Sequence, residues 1–236
     1  MDFDVLAHEQ SMPAQAKKWL EWPMKEQRIG LPREGRPEEA ALALMKSEGW
    51  EGEHTEGNLT RSIFRALLLP YLIERNPYKA VDPVRTPLMH AIHYLIPMTA
   101  QGIEKLLKGG REVPPEPIAE MHEVLSSRLS DVESVLKDYS RICTACAEVW
   151  PMTPSGSHIA RKFIAAYPEA FWHQLLDVYA KFDGAMSHGW PDLELTNGTE
   201  VLMVEVKVKD RLTAHQKITI PRLISMGVGC RLIRLV

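Results

Sequence analysis

Two carboxylates and an amine stand close together in the segment GWPDLELTNGTEVLMVEVKVKD, residues 189–210. They are Asp192, Glu205 and Lys207, and the residues around them alternate between apolar and polar types. Carboxylate oxygens are ligands that Mg²⁺ takes in proteins, usually one or two of them together with water or phosphate oxygens. A lysine beside such an ion adds a positive charge. These three side chains could therefore bind a divalent metal next to a cation.

The element that must position these side chains is a β-hairpin around the pair Asn197-Gly198. Such a pair between two alternating segments favours a two-residue type I′ loop. The register of that loop puts Asp192 opposite Met203. It makes Asp192 and Glu205 diagonal neighbours, about 7–8 Å apart at Cα. At that spacing, the two carboxylates can converge on one ion.

The two faces of the predicted hairpin differ in character. One is wholly apolar and requires a core to pack against; it carries Leu193, Leu195, Leu202, Val204, Val206 and Val208. The other carries Asp192, Glu194, Met203, Glu205 and Lys207. Two interpretations of this second face are open from the pattern alone. One is a metal site, and the other is a solvated face with a weak cross-strand ion pair.

Composition sets broad limits on the chain. Its 236 residues correspond to one domain of ordinary size, alone or with a small appendage. The formal net charge of −3 excludes a polycation, so nucleic acid would have to bind through a local patch or a metal. Three cysteines fit a reducing compartment. With no signal peptide and no apolar run of about 18 residues, we expect a cytoplasmic protein without a membrane segment.

Upstream of the hairpin the chain is mostly helical in pattern. Residues 1–36 carry scattered Pro, Gly and charge and predict an N-terminal arm. Apolar residues at three- and four-residue steps predict helices over about 37–49, 59–75 and 118–150, and a pair broken at Pro168 over 157–181. After the hairpin, a helix near 213–226 opens with the capping box Thr213-x-x-Gln216, and Pro221 is expected to interrupt it. A final strand follows.

The segment from Gly189 to Gln216 resembles the signature of the VRR-NUC branch of the PD-(D/E)xK nucleases. Pro191-Asp192 stands at the PD position, and Glu205-Val206-Lys207 stands at the ExK position. The trailing DRLT, residues 210–213, and Gln216 are typical of this branch. Departures also occur, because Val208-Lys209 follow the motif lysine where the family usually has Gly-Pro, and the loop is one residue short.

The resemblance extends upstream. The segment PEEAALALMKSEGWEGEHTEGNLTRSIFRALLLPYLI, residues 37–73, is similar to the start of the nuclease domain in Fanconi-associated nucleases. Glu56, in the run HTEG, matches the upstream metal-binding glutamate of that family. The resemblance covers residues 37–236, although 76–150 match only in length and helical character. It implies an α/β, restriction-endonuclease-like PD-(D/E)xK core, a small mixed sheet flanked by helices. A helical insertion over about 76–182 precedes a catalytic hairpin-helix-strand core over 187–236.

The resemblance also implies roles for individual residues. Mg²⁺ or Mn²⁺ would be held by Glu56, Asp192, Glu205 and the backbone carbonyl of Val206, and Lys207 would be the catalytic cation. DNA contacts are expected from Gln216, Arg211, Lys209, Arg161 and Lys162. For Gln216, a purely helix-capping role is an equally good interpretation.

The function implied is a metal-dependent, structure-selective DNA nuclease. The 135 residues between Glu56 and Asp192 leave room for a helical insertion, which favours 5′-flap or branched DNA as substrate and a monomer over a homodimer. Two alternatives are a dimeric resolvase of four-way Holliday junctions and a catalytically silent DNA-binding protein. A silent protein has no need of all four residues Glu56, Asp192, Glu205 and Lys207.

Overall fold

The computed structural model describes residues 25–30, 35–75, 86, 88–89, 118–147, 156–181, 186 and 188–235. The chain divides into two compact units: one comprises residues up to Gly57 together with those from Gly184 onward, and the other comprises Asn58–Asp183. Within the described ranges, none of the helices combines the length and apolar character that crossing a bilayer requires.

The first unit is built on a mixed five-stranded sheet. Its strands are β1 (Lys25–Ile29), β2 (Glu51–His54), β3 (Leu193–Thr196), β4 (Val201–Lys207) and β5 (Gly229–Leu235). They lie in the order β1-β5-β4-β3-β2. β5 runs parallel to both β1 and β4, whereas β3 is antiparallel to both β4 and β2. The middle strand, β4, is buried on both faces, which accounts for its nearly continuous apolar sequence VLMVEVK.

The described helices are α1 (Pro37–Ser47), α2 (Asn58–Arg75), α3 (Ile118–Leu129), α4 (Val132–Ala147), α5 (Ser157–Ala166), α6 (Glu169–Lys181) and α7 (Ala214–Ser225). α1 and α7 belong to the first unit and the other five to the second. α7 joins the parallel strands β4 and β5, a connection that requires a crossover element. A mixed sheet with helices packed against it confirms the predicted α/β class.

The apolar face of the hairpin packs against a core, as predicted, and α1 supplies part of that core. The shared core consists of Ala41, Met45, Leu193, Leu195, Leu202, Val204, Val206 and Ile233. Burying an aliphatic side chain of this size contributes about 1.5–3 kcal/mol, so this cluster holds the hairpin in place. Val208 is an exception, because it lies beyond the end of β4 and is 43% exposed. α7 packs on the opposite face, where the side chain of Gln216 reaches Glu205 of β4.

The register of the hairpin differs from the predicted one by two residues. Leu193 pairs with Val204 and Leu195 with Leu202, so the loop has four residues, 197–200, instead of two. Because side chains alternate with a period of two, an even shift leaves every residue on its predicted face. Asp192 lies one residue before β3. The observed register, continued by one step, places it directly opposite Glu205 instead of diagonally.

The longer loop is explained by Asn197. A type I′ turn requires positive φ at both central residues, and φ of Asn197 is not positive. Its side-chain Oδ1 instead accepts hydrogen bonds from the backbone N–H of Thr199 at 3.0 Å, from the Thr199 hydroxyl at 2.9 Å and from the backbone N–H of Glu200 at 2.9 Å. These side-chain hydrogen bonds form an Asx-type turn, which stabilises a four-residue loop instead of the predicted two-residue one.

The prediction of an N-terminal arm was wrong for Lys25–Ile29, which form the edge strand β1 beside β5. The sequence KEQRI is polar, as an exposed edge strand often is, and so lacks the apolar alternation that identifies a half-buried strand. Residues 1–24 and 31–34 of the predicted arm lie outside the described residues.

Three of the predictions about helices can be checked against α3 to α7. The predicted long helix over 118–150 is two helices, because Asp131 Oδ1 accepts from the backbone N–H of Ser134 and starts α4. The break at Pro168 between α5 and α6 is confirmed. Pro221 lies inside α7 without ending it, so the predicted interruption was wrong.

The compact helical unit begins at Asn58, earlier than residue 76, where the insertion was expected to begin.

We expect Asn197→Ala to lower the free energy of unfolding by about 1 kcal/mol, because it removes the acceptor of three loop hydrogen bonds. Urea denaturation measures this loss. Asn197→Asp keeps an acceptor oxygen at the same place and should lose clearly less. Equal losses in the two variants would show that the side-chain acceptor does not hold the loop.

Candidate active site

Asp192 connects the parts of the site through both its main chain and its side chain. Its carbonyl oxygen accepts hydrogen bonds from the backbone N–H groups of Thr55 at 3.1 Å and of Glu56 at 3.2 Å. Its carboxylate Oδ2 accepts from the backbone N–H of Val206 at 2.7 Å. Asp192 therefore links the loop after β2 to the end of β4, and the upstream glutamate and the hairpin meet at one residue. The Thr55 hydroxyl adds a second link by donating to the buried carboxylate of Glu194.

The loop that carries Glu56 has an uncommon backbone. Glu56 has φ of 50°, in the left-handed region that non-glycine residues rarely occupy. Gly57 follows with φ of 79°, and a Cβ on it would lie 2.3 Å from the ring of Trp190. The ring is in turn anchored by its Nε1, which donates to the carbonyl of Met186 at 2.6 Å. Glycine after Glu56 is thus required both by φ and by the close approach of Trp190.

Glu205 is fully buried in the middle of β4. Its Oε1 lies 2.5 Å from Nζ of Lys207 and accepts a hydrogen bond from Nε2 of Gln216 at 2.6 Å. Its Oε2 is buried without a hydrogen-bond partner. Burial, together with the nearby charge of Asp192, raises the pKa of Glu205 to about 7, despite the opposing effects of Lys207 and Gln216.

The carboxyl group of Asp192 is affected in the same direction. Burial raises its pKa, and the hydrogen bond from Val206 and the charge of Lys207 act against that rise. Glu38, in the first turn of α1, also raises the pKa of Asp192, whereas His54 lowers it. Asp192 therefore interacts electrostatically with two other acids, Glu38 and Glu205, at this end of the sheet. Such a concentration of carboxylates is typical of a cation site.

His54 joins the acidic cluster from the end of β2. The potential ligand atoms of His54, Glu56 and Asp192 all lie within 4.8 Å of one another. From the sequence, His54 was notable only because it stands two residues before Glu56 in the run HTEG. That position does not by itself indicate a metal ligand, and Glu38 was not identified at all.

The residues present fit a divalent metal ion. Carboxylate oxygens are ligands that Mg²⁺ and Mn²⁺ take, and an imidazole nitrogen is a ligand that first-row transition metals take. A buried carboxylate oxygen that makes no hydrogen bond, Oε2 of Glu205, has the chemistry of a ligand that requires a cation. Of the predicted ligands, Glu56, Asp192 and Glu205 lie at this site, and the main chain of Val206 reaches it through its N–H. A ligand role for the Val206 carbonyl stays a prediction.

Gln216 serves two partners at once. Its Oε1 accepts from the backbone N–H of Thr213 at 2.9 Å, while the Thr213 hydroxyl accepts from the backbone N–H of Gln216, which completes the capping box of α7. Its Nε2 donates to Glu205. The DNA contact predicted for Gln216 stays a prediction. Its side chain is buried, and Oε1 and Nε2 each have a partner within the fold. These contacts indicate that Gln216 orients Glu205.

Gly189 allows the start of α7 to lie close to the segment that leads into the hairpin. This residue has φ of 79°, and a Cβ on it would lie 2.3 Å from the carbonyl carbon of His215. The Thr219 hydroxyl, one turn further along, donates to the carbonyl of His188 at 2.7 Å. The first turns of the helix therefore lie directly on the chain that leads into Asp192.

The remaining predicted DNA contacts fall in two places. Lys209 and Arg211 are exposed in the segment that follows β4 and Lys207. Arg161 and Lys162 lie on α5 in the helical unit, where Arg161 pairs with Glu133 at 2.7 Å. Their roles toward DNA stay predictions.

Two solved structures of paFAN1 are similar to this chain in fold. One, bound to gapped DNA with a two-nucleotide 5′ flap, is 14% identical, with a TM-score of 0.53 over 98% of this chain and 45% of that one. The other, bound to gapped DNA with a one-nucleotide 5′ flap, is 15% identical, with a TM-score of 0.56 over 91% of this chain and 38% of that one. The chain thus spans less than half of paFAN1. The predicted restriction-endonuclease-like fold with helical parts is confirmed.

No protein-family model and no curated protein matches the sequence.

We expect Gln216→Glu and Thr213→Ala to separate the two contacts of residue 216. Glutamate preserves the capping box but loses the donor to Glu205 and adds a like charge beside it. Thr213→Ala removes the cap alone, at about 1 kcal/mol. In urea denaturation at pH 8, Gln216→Glu should therefore lose more stability than Thr213→Ala, and it should recover part of the loss at pH 5. A Gln216→Glu protein as stable as the wild type at pH 8 would contradict the contact.

We also expect the raised pKa of Glu205 to appear in stability measured without metal. The ordinary pKa of a glutamate is 4.5, and that of folded Glu205 is about 7. At a pH between these two values, the folded state holds a proton that the unfolded state has lost. The free energy of unfolding should then fall as pH rises through this window. The groups facing Glu205 are Asp192, Lys207 and Gln216. Denaturation in EDTA at several pH values, on wild type and on Glu205→Gln, isolates the effect. The difference between their free energies of unfolding should change from pH 4.5 to 7. A constant difference would contradict the shift.

Proposed function

We propose that this chain is a divalent-metal-dependent nuclease of the VRR-NUC branch of the PD-(D/E)xK nucleases, which hydrolyses phosphodiester bonds in branched DNA, 5′ flaps favoured. The observation that carries the proposal is a chain of neighbours at one end of the sheet. Glu56 and Asp192 have ligand atoms within 4.8 Å of each other, Asp192 acts electrostatically on Glu205, and Glu205 pairs with Lys207. Their identity and order match the family motifs, and the fold is that of paFAN1, whose solved structures hold DNA with 5′ flaps.

Glu56, Asp192 and Glu205 would hold Mg²⁺ or Mn²⁺, with the carbonyl of Val206 as a further ligand. When bound there, the ion would supply an activated water and neutralise phosphate oxygens as charge develops on them. Oε2 of Glu205 is the oxygen best placed for this purpose, because Oε1 is already engaged by Lys207 and Gln216.

The role of Lys207 follows from how it is held. Its Nζ lies 2.5 Å from Glu205 Oε1, and its side chain is only 14% exposed. The ammonium group is therefore fixed in position and largely out of water, where a charge interacts more strongly than it does in solvent. A preorganised cation of this kind stabilises the extra negative charge of a phosphoryl transition state without reorganising first.

The protein must also hold the DNA in register with these groups. Lys209 and Arg211 lie exposed just after Lys207 along the chain, so they would meet phosphates close to the reacting one. Contacts of this type position a duplex without reading its sequence. Arg161 and Lys162 on α5 would extend phosphate binding over the helical unit, with Arg161 exchanging Glu133 for a phosphate.

A flap is favoured over a four-way junction because a compact unit, Asn58–Asp183, whose described elements are helices, lies between Glu56 and Asp192 in the chain. A structural unit of that size offers a DNA-binding surface within one chain, so we propose that the protein acts as a monomer. A dimeric junction resolvase and a catalytically silent DNA-binding protein are the alternatives that the following experiment separates.

We expect metal-dependent cutting of a labelled 5′-flap substrate, faster than cutting of a four-way junction or plain duplex, with none in EDTA. Asp192→Asn and Lys207→Ala should each lower the rate at least 100-fold, while binding of the same DNA is kept. The matched control is Glu200→Gln, an exposed acid in the hairpin loop, which should leave the rate unchanged.

Three outcomes would overturn parts of this proposal. DNA binding without metal-dependent cutting of any substrate indicates the silent protein. Cutting restricted to the four-way junction, with a dimer in solution, indicates the resolvase. Full activity in both Asp192→Asn and Lys207→Ala refutes the site.

A further inference from the structure

His54 has a ring nitrogen, Nε2, that makes no hydrogen bond within the described residues. Nε2 is buried, although the side chain as a whole is 33% exposed. It lies 3.5 Å from Oε1 of Glu56, which is an ion pair only when the ring is protonated. A buried ring nitrogen that makes no hydrogen bond has lost its bond to water without a replacement of the same kind. Its position is therefore better explained by a ligand than by packing.

The spacing of the surrounding donors supports this view. Two ligands on opposite sides of an ion, each about 2.1 Å from it, are about 4.2 Å apart. The donor atoms of His54, Glu56 and Asp192 all lie within 4.8 Å of one another. Small rotations of exposed side chains are enough to close that difference, and Glu56 is more than half exposed.

The backbone makes His54 a rigid part of the site. It is the last residue of β2 and pairs with Leu193, the residue next to Asp192. The following two residues donate their N–H groups to the Asp192 carbonyl. The main chain of His54 is consequently fixed close to both acids, by strand pairing with Leu193 and by the hydrogen bonds of the Thr55–Glu56 loop to Asp192.

We propose that Nε2 of His54 is a nitrogen ligand of the metal held by Glu56 and Asp192, and that it makes this site favour first-row transition metals over Mg²⁺. The proposal rests on the proposed metal site. Mg²⁺ binds oxygen and dehydrates reluctantly, whereas imidazole is a good ligand for transition metals, with affinity rising from Mn²⁺ through Co²⁺. An all-oxygen site would lack this bias.

The test measures metal binding to the full chain without DNA. Calorimetry gives affinities for Mn²⁺, Co²⁺ and Mg²⁺, and pulsed electron paramagnetic resonance of bound Mn²⁺ reports whether a nitrogen nucleus is coupled to it. The variants are His54→Gln, which keeps a polar side chain of similar reach but offers oxygen, and Glu56→Gln. His188→Gln is the matched control, because its ring contacts His215 in the same unit and is not in the cluster.

We expect ¹⁴N coupling in the wild type and in His188→Gln and its loss in His54→Gln. We also expect His54→Gln to lower Mn²⁺ and Co²⁺ affinity about tenfold or more while Mg²⁺ affinity changes much less. Mn²⁺ that binds, is weakened by Glu56→Gln and shows no ¹⁴N coupling overturns the role of His54 and leaves the metal site standing. No Mn²⁺ binding, or binding that Glu56→Gln does not affect, overturns the metal site itself.

Discussion

A carboxylate in the middle of a fully buried strand is the constraint to which the rest of this unit responds. Glu205 lies in β4 between apolar neighbours that pack on both faces. Removing a charge from water costs several kcal/mol unless other groups compensate. Lys207 and Gln216 compensate for one oxygen, and the other is left without a partner. Part of that compensation therefore comes from another element, because α7 supplies Gln216. The second oxygen is where a bound cation would compensate the remaining charge.

The same constraint determines where α7 begins. A capping box accepts glutamate or glutamine at its third position, but only glutamine has a nitrogen to donate to Glu205 while its oxygen caps the helix. Helix capping and carboxylate orientation are thus carried by one side chain. Gly189 allows the helix to approach closely enough for this, because any Cβ there would collide with the backbone of His215.

Much of this arrangement follows from the sequence, and the reasons for the misses are specific. The predicted apolar and acidic faces of the hairpin were correct although the predicted loop was wrong, because the error in register was two residues and not one. The loop itself was misjudged because Asn197 uses its side chain instead of a left-handed backbone. β1 was missed because an edge strand need not alternate in polarity. The capping box was visible, while its second contact depends on tertiary packing that no local pattern encodes.

His54 and Glu38 illustrate the limit more sharply. Nothing in the spacing of HTEG separates a ligand from a surface histidine, and Glu38 stands in a first turn where acids are common for helix-dipole reasons. Both reach the site because β2 pairs with β3 and α1 packs on the hairpin, which are contacts between distant parts of the chain. The proposed catalytic motifs can be recognised locally because each is a short run in or beside one strand. The residues that would adjust the charge and donor type of the proposed site are spread over other elements, so a preference for one metal over another would be decided by the fold.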